Sequence, residues 1–407
     1  MFRENCLICD SKNLKEIIDL GMHPLADSFI PESKLSDPDL GYPLVCDLCM
    51  DCGNVQTRCE TDPKMRYAGL DYSYTSSNSN FSMSHWNNFE EEISKEIEIP
   101  SESLVVEIGS NDGYLAERFK KSGKKVVGVD PSPYMAELAE KRGIETVVAL
   151  FDSQSSEEIL NKYGKAKLVI ANNVFNHSNN PLEFAKSVEK ILSLGGYFVF
   201  EQPYWLVGVK SGKFDQIYHE HVSYFTVKSA LKLLNRVGLS IKSAKVVDYH
   251  GGSLRIIAEK KENFGQETEE VKKMIEAEKE LFDLETYEKF MKQNKLQRSR
   301  FLQKLHKIKE EGRTIIAVGA AAKGNTFLNS YCLDKTVVDY VTDSSPHKQG
   351  KHTPLTRIPI VGDEIFAKFD KPCALILSWN IANQLKEILL KINPNIEFLV
   401  PEEFGNI

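Results

Sequence analysis

The chain has no apolar run long enough to cross a bilayer, and its opening residues, MFRENCLICD, contain no apolar core of a secretory signal. It also lacks an excess of positive charge. Its 51 lysines and arginines stand against 58 aspartates and glutamates, a formal net charge of -7. That balance argues against a basic nucleic-acid-binding face. Cysteine is too sparse for a disulfide scaffold, with eight in 407 residues, and no short-period repeat is visible. These absences lead us to expect a cytoplasmic protein with neither a membrane nor a nucleic acid as partner. What is present is ordinary for a globular protein: 42% hydrophobic and 27% charged residues. The length exceeds what one core usually holds, so two or three domains are expected.

The pattern changes along the chain in five steps. Residues 1–66 read as a loop-rich module holding six of the eight cysteines, and residues 67–88 as a polar, aromatic connector. Residues 89–265 alternate short apolar runs (Leu104–Ile108, Lys125–Val129, Leu168–Ala171, Tyr197–Phe200) with amphipathic stretches. This is the signature of a parallel sheet covered by helices. Runs near Ser243–Val247 and Ser253–Ala258, joined across Asp248–Gly252, look like a closing β-hairpin. Residues 266–311 are charge-rich with helical apolar spacing and read as linking helices. Residues 312–407 form a second α/β unit, with strands expected at Thr314–Val318, Val337–Val341 and Ala374–Leu377. The expected fold class is therefore α/β: a central Rossmann-like sheet, a small N-terminal metal module and a second Rossmann-like domain.

The cysteines are paired. Cys6-Leu7-Ile8-Cys9 and Cys49-Met50-Asp51-Cys52-Gly53 are two C-x-x-C knuckles. A two-residue gap lets both sulfurs of a knuckle face one ion, and zinc favours four thiolates in a tetrahedron. Four protein ligands close such a site, so the zinc is expected to be structural, held by Cys6, Cys9, Cys49 and Cys52. Cys46 and Cys59 read as spectators, with Cys46, three residues before Cys49, the alternative ligand.

In the central domain, Val105–Ile108 leads into Gly109-Ser110-Asn111-Asp112-Gly113. The strand ends on Glu107, and the turn spaces its glycines as Gly109 and Gly113, unlike the G-x-G-x-x-G dinucleotide fingerprint. The E-x-G-x-x-x-G pattern resembles class I S-adenosylmethionine-dependent methyltransferases. The next strand ends on Asp130, placed to accept hydrogen bonds from ribose hydroxyls. The fourth ends at Asn172-Asn173. The candidate cofactor residues are thus Glu107, Gly109, Asn111, Gly113, Asp130 and Asn172.

Beyond the fifth strand lies Tyr218-His219-Glu220-His221, on the edge where substrate is expected; His177 lies past the fourth strand on the same edge. Histidine can take a proton near neutrality, a carboxylate can orient it, and a tyrosine can hydrogen-bond an oxyanion. In the C-terminal unit, Gly319-Ala320-Ala321-Ala322-Lys323-Gly324-Asn325-Thr326 turns a strand into a helix. Backbone N–H groups at that helix start, with Lys323, can hold an anion. The alternative is a Gly/Ala turn chosen for close packing.

Taken in order, these motifs resemble the deoxysugar C-methyltransferase family that acts on nucleotide-linked 4-keto-hexoses. The resemblance also covers Tyr72 and Tyr74 in the serine-rich connector, His250-Gly251-Gly252-Ser253 and Ile358-Pro359-Ile360-Val361. It implies S-adenosylmethionine as cofactor and a nucleotide-diphosphate keto-sugar as substrate, in a monomer or small homo-oligomer. It implies that Tyr218, Glu220 and His221 are catalytic, supported by His177 and Tyr72. A 4-keto group acidifies the C3 proton, so the expected reaction is deprotonation to an enolate followed by in-line methyl transfer. His221 is the leading base, Tyr218 stabilises the enolate or shares the base role, and Glu220 orients His221. Lys323, Asn325 and Gly319 are the candidate substrate-binding residues, for the diphosphate. The alternatives are an O-methyltransferase of a sugar or small metabolite, and a catalytically silent zinc-containing metabolite-binding protein.

Overall fold

A computed structural model describes residues 2–67, 75–77, 79–262 and 267–401. Tyr72 and Tyr74 lie outside the described residues.

The centre is a seven-stranded sheet. Its spatial order is Leu239–Val247, Ser253–Lys260, Leu192–Pro203, Ala166–Ile170, Leu104–Ile108, Lys125–Asp130, Glu145–Val148. The last five are mutually parallel, and the first two form the expected hairpin, whose strand Ser253–Lys260 pairs antiparallel with Leu192–Pro203. The parallel strands are buried on both faces, with Val105, Val106, Leu168, Val169, Ile170, Phe198 and Phe200 removed from solvent. That explains why they read as continuous apolar runs. The chain enters at Leu104–Ile108, winds outward through Lys125–Asp130 to Glu145–Val148, then returns to build the other half from Ala166–Ile170. Its direction of winding reverses between the strands ending at Ile108 and Ile170, which opens a crevice beyond their carboxyl ends.

The N-terminal module differs from the loop-rich reading. It is an antiparallel sheet in the order Leu14–His23, Tyr42–Cys49, Val55–Thr57, Ser223–Tyr224. Register shifts after Glu16 and Asp19 break the period-two alternation in Leu14–His23, which hid this strand from pattern reading. The fourth strand comes from the central domain, directly after the Tyr218–His221 run. The metal module and that run are therefore joined by backbone pairing.

The C-terminal unit is a five-stranded parallel sheet ordered Ile360–Val361, Tyr340–Thr342, Ile315–Val318, Cys373–Ile376, Glu397–Leu399. Its own winding reverses beside Ile315–Val318, so the Ala320–Lys323 turn stands over a second crevice. Two helices tie the parts together. Asn80–Glu96, capped by the Ser79 hydroxyl accepting from Ser82 N–H at 3.1 Å, buries Trp86, Phe89 and Ile93 in the central unit. It runs through the boundary expected at residue 88, and so belongs to both connector and central unit. The 27-residue helix Leu284–Glu310 packs against both Leu14–His23 and Ile315–Val318. Among the described residues, no helix is long and apolar enough to cross a membrane.

Candidate active site

A cavity of about 490 Å³ lies at the carboxyl edge of the central sheet and reaches the C-terminal unit. One wall is the Gly109–Gly113 loop and the strand end beside it. Asp130 ends its strand facing this cavity, and two backbone amides fix its carboxylate: Asn111 N–H donates to Oδ2 and Ser132 N–H to Oδ1, each at 2.9 Å. Burial raises the carboxyl above its ordinary value, while those two amides oppose the rise. Gly109 also lines the cavity, at φ +69; a Cβ there would approach Val174 at 3.1 Å. Asn172 Oδ1 accepts from Glu201 N–H at 2.9 Å, and its buried side-chain NH₂ has no hydrogen-bond partner among the described residues.

Glu107 and Gly113 sit behind this wall. Burial, then Asp112, pushes the Glu107 carboxyl well above the usual range. Gly113 starts the helix Tyr114–Lys121, where an added Cβ would press on Ala139 at 3.0 Å. The connector reaches the loop from outside. Ser76 N–H donates to Asn111 Oδ1 at 2.9 Å, and Ser77 joins Asp112 and Arg142. Sequence reasoning missed Phe151 and Asp152, which extend the wall beyond the four-residue strand Glu145–Val148. Asp152 caps the next helix by accepting from Ser155 N–H at 2.9 Å. That cap is a legible signal, and it marks a loop at the sheet's carboxyl edge.

The opposite wall carries Gln216, Tyr218, His221, His177 and His250. His221 Nδ1 lies 2.9 Å from the Gln216 carbonyl and Nε2 lies 2.6 Å from the Tyr218 hydroxyl. A carbonyl only accepts, so Nδ1 carries the proton and Nε2 accepts from Tyr218. Burial holds His221 down to about 3; the Gln216 hydrogen bond opposes this and the Lys323 charge adds to it. His177 stands with its ring centroid 5.1 Å from that of His221, kept neutral by burial, then by His221 and Arg66.

The expectation that Glu220 orients His221 needs correction, because the carbonyl of Gln216 fills that place. Glu220 is buried behind the wall, and burial, then Asp27, pushes its carboxyl up to about 7, with backbone amides including that of Ala26 opposing the rise. His219 points away, toward the Pro43 carbonyl at 3.3 Å and the edge of Tyr42. Arg66 braces the assembly from below, donating to the carbonyls of His177 and His219 at 3.3 Å each and to Asn179 at 2.9 Å.

At the far end, Ala321, Ala322 and Lys323 face the cavity, joined by Lys348. Lys323 donates to Asn380 at 3.1 Å and lies over the Trp379 ring at 4.5 Å. The other two candidates from this turn are engaged elsewhere. Asn325 is buried and donates to the Ala26 carbonyl of the N-terminal module at 2.6 Å. Gly319, at φ +102, leaves room for Ser378.

In the metal module, Cys6, Cys9, Cys49 and Cys52 bring their sulfurs within 4.8 Å of one another, with Cys6–Cys52 at 3.5 Å and Cys9–Cys49 at 3.6 Å. Sulfurs about 2.3 Å from a tetrahedral zinc stand about 3.8 Å apart, so the donor set fits that ion. Cys46 pairs within the sheet, opposite Ile18 and Thr57, and is not part of the cluster.

Three family models cover most of the chain. A zinc binding domain matches residues 6–67, a methyltransferase domain 86–244, and a C-methyltransferase C-terminal domain 248–401. The C-methyltransferase NovU of Streptomyces niveus is 29% identical over 94% of this chain and 91% of its own length. The chain is built from the domains of an S-adenosylmethionine-dependent methyltransferase and is similar to a C-methyltransferase over nearly its full length. The enzyme uses S-adenosylmethionine, and its N-terminal domain takes a structural zinc. An uncharacterized protein of Methanocaldococcus jannaschii is 24% identical over 35% of the enzyme and 67% of its own length. Magnesium protoporphyrin IX methyltransferase of Synechocystis, solved with bound S-adenosylhomocysteine, overlaps 44% of the enzyme and 82% of its own chain. Its identity is 15% and its TM-score 0.35. The C-terminal family match begins at residue 248, whereas the strand Ser253–Lys260 is built into the central sheet.

The cavity suits the cofactor. The clamped Asp130 carboxylate has lone pairs left for hydroxyls, Asn172 has an unused donor, and Gly109 keeps the loop low. When bound, S-adenosylmethionine supplies an electrophilic methyl group. Asp130, Asn111 and Asn172 would hold it, and Phe151 with Asp152 would border its base.

Proposed function

We propose that the enzyme methylates C3 of a nucleotide-linked 4-keto-sugar through an enolate. The observation that carries this reading is the Tyr218–His221 hydrogen bond, 2.6 Å long, inside the same cavity as Asp130. A neutral imidazole that accepts from a phenol makes that phenol a proton acceptor. As Tyr218 oxygen takes the C3 proton, it passes its own proton to His221 Nε2. The C–H electron pair becomes the enolate, with negative charge on the C4 oxygen, and then forms the new carbon–carbon bond. In this reading Tyr218 touches the substrate and His221 stores the proton, the shared-base form of the expectation for His221 and Tyr218. The Gln216 carbonyl stabilises the imidazolium that results. Arg66 and the paired strand Ser223–Tyr224 hold this wall rigid, as preorganisation requires. His177, beside His221, shapes the proton site, and Glu220 supports the wall from behind.

The substrate class is supported by what surrounds the reacting end. From Tyr218 the cavity continues to Lys323 and Lys348, two cations over the Ala321–Ala322 helix start, a fit for a diphosphate. The test is incubation with labelled S-adenosylmethionine and a panel of nucleotide-linked 4-keto-sugars, with the label located by NMR. Label on a sugar carbon next to the ketone is expected; label on an oxygen would make the enzyme an O-methyltransferase.

A further inference from the structure

An enolate needs a donor at its oxygen, and the Tyr218 hydroxyl is directed at His221 Nε2. Another group must face that charge. His250 occupies the tip of the hairpin that closes the central sheet and lines the cavity with Gln216, Tyr218 and His221, its ring 4.0 Å from that of Tyr249.

The local backbone is built for this one residue. His250 has φ +52, a left-handed conformation uncommon for residues with a Cβ, and Gly251 and Gly252 follow at +80 and +111. Three successive positive φ values turn the hairpin so that its tip faces inward. A non-glycine residue keeps such a conformation only where the surroundings enforce it. Here the Trp379 ring lies so close to Gly251 that no Cβ fits, and Val207 crowds Gly252 in the same way. Trp379 is itself fixed, its indole N–H donating to Asp215 at 2.5 Å and its ring in contact with the ammonium groups of Lys213 at 4.1 Å and Lys323 at 4.5 Å. One residue also ties the His221 ring and the His250 backbone to a common frame. Gln216 accepts from His221 Nδ1 through its carbonyl and donates through Nε2 to the His250 carbonyl, each at 2.9 Å.

We propose that His250 is a further catalytic residue, its imidazole N–H donating to the oxygen on which the enolate charge develops. The proposal rests on the enolate reading of the same cavity. A neutral imidazole always carries one N–H, so it serves as donor without a buried charge, and a neutral histidine can polarise a carbonyl in this way. Burial, then the Lys323, His85 and His221 charges, hold His250 well below its ordinary value, so the ring stays neutral in the working range. The hairpin tip thereby links the C-terminal unit, through Trp379, to the reacting carbon.

The test compares His250→Asn and His250→Gly with wild type on a keto-sugar that wild type methylates. Both residues accept positive φ, so the turn is kept. Loss of an oxyanion donor predicts kcat lower by about 10²–10³-fold, KM little changed, and cofactor affinity by calorimetry unchanged. Added imidazole should restore part of the kcat of His250→Gly, a rescue that a merely structural role would not give. Wild-type kcat in either variant, or a kcat loss in His250→Gly with no imidazole rescue, overturns the proposal and leaves the enolate reading standing. Wild type that methylates only hydroxyl oxygens overturns both.

Discussion

At the residue scale, the site rests on side chains whose surroundings fix their protonation. Asp130 is held by two backbone amides, and we propose that its remaining lone pairs take the cofactor ribose. Asp130→Ala should weaken S-adenosylmethionine binding by about ten- to a hundredfold in calorimetry, through the loss of charge-assisted hydrogen bonds. Glu220 gives a sharper test. Burial, then Asp27, pushes it up to about 7 from 4.5, while Arg66 pulls the other way. A carboxyl raised on folding stays protonated in the folded chain while the unfolded chain ionises. Stability is therefore lost as pH rises from about 4.5 to about 7, by up to about 3 kcal/mol. Glu220→Gln removes this titration. Urea melts should show the stability of the variant relative to wild type increasing between pH 5 and pH 8; a constant difference would contradict the buried protonated carboxyl. That Glu220 would sit behind the wall was not legible from Tyr218-His219-Glu220-His221. The turn there sends the first and last side chains to the cavity and the middle two into packing.

At the scale of elements, the hairpin tip and the loops at the sheet's edge decide the shape of the cavity. Gly251→Ala must fit a Cβ against Trp379 at φ +80. We expect a stability loss of about 1–3 kcal/mol with a fall in kcat, read from urea melts and turnover together. An unchanged melt would show that the tip yields without cost. The parallel strands were legible because burial on both faces writes continuous apolar runs such as Leu104–Ile108. The hairpin was legible from its paired runs and glycines. The strands of the metal module were not, because bulges in Leu14–His23 break alternation and half of its residues face solvent. The edge strands Ile360–Val361 and Glu397–Leu399 are too short to carry a period. Gly319 and Asn325 share a turn with Lys323, yet only Lys323 reaches the cavity. Sequence order names a loop, and packing chooses which of its residues point inward.

At the scale of the whole molecule, three units converge on one cavity, and the zinc module is part of its frame. Ser223–Tyr224 completes its sheet, Arg66 holds the His177 and His219 carbonyls, and Asn325 holds Ala26. Cys6→Ser or Cys52→Ser should lower the zinc content from about one ion per chain and reduce turnover with it, since the module folds around its metal. Full zinc in both variants by metal analysis would dismiss the four-cysteine site. The central claim is the enolate, and solvent exchange tests it most directly. In deuterated water, wild type with the demethylated cofactor should exchange the C3 proton of its keto-sugar, followed by NMR, because deprotonation needs no methyl donor. Tyr218→Phe and His221→Ala should each slow that exchange by about 10²–10⁴-fold. Methylation by wild type without any C3 exchange, or exchange at the wild-type rate in both variants, would contradict the account.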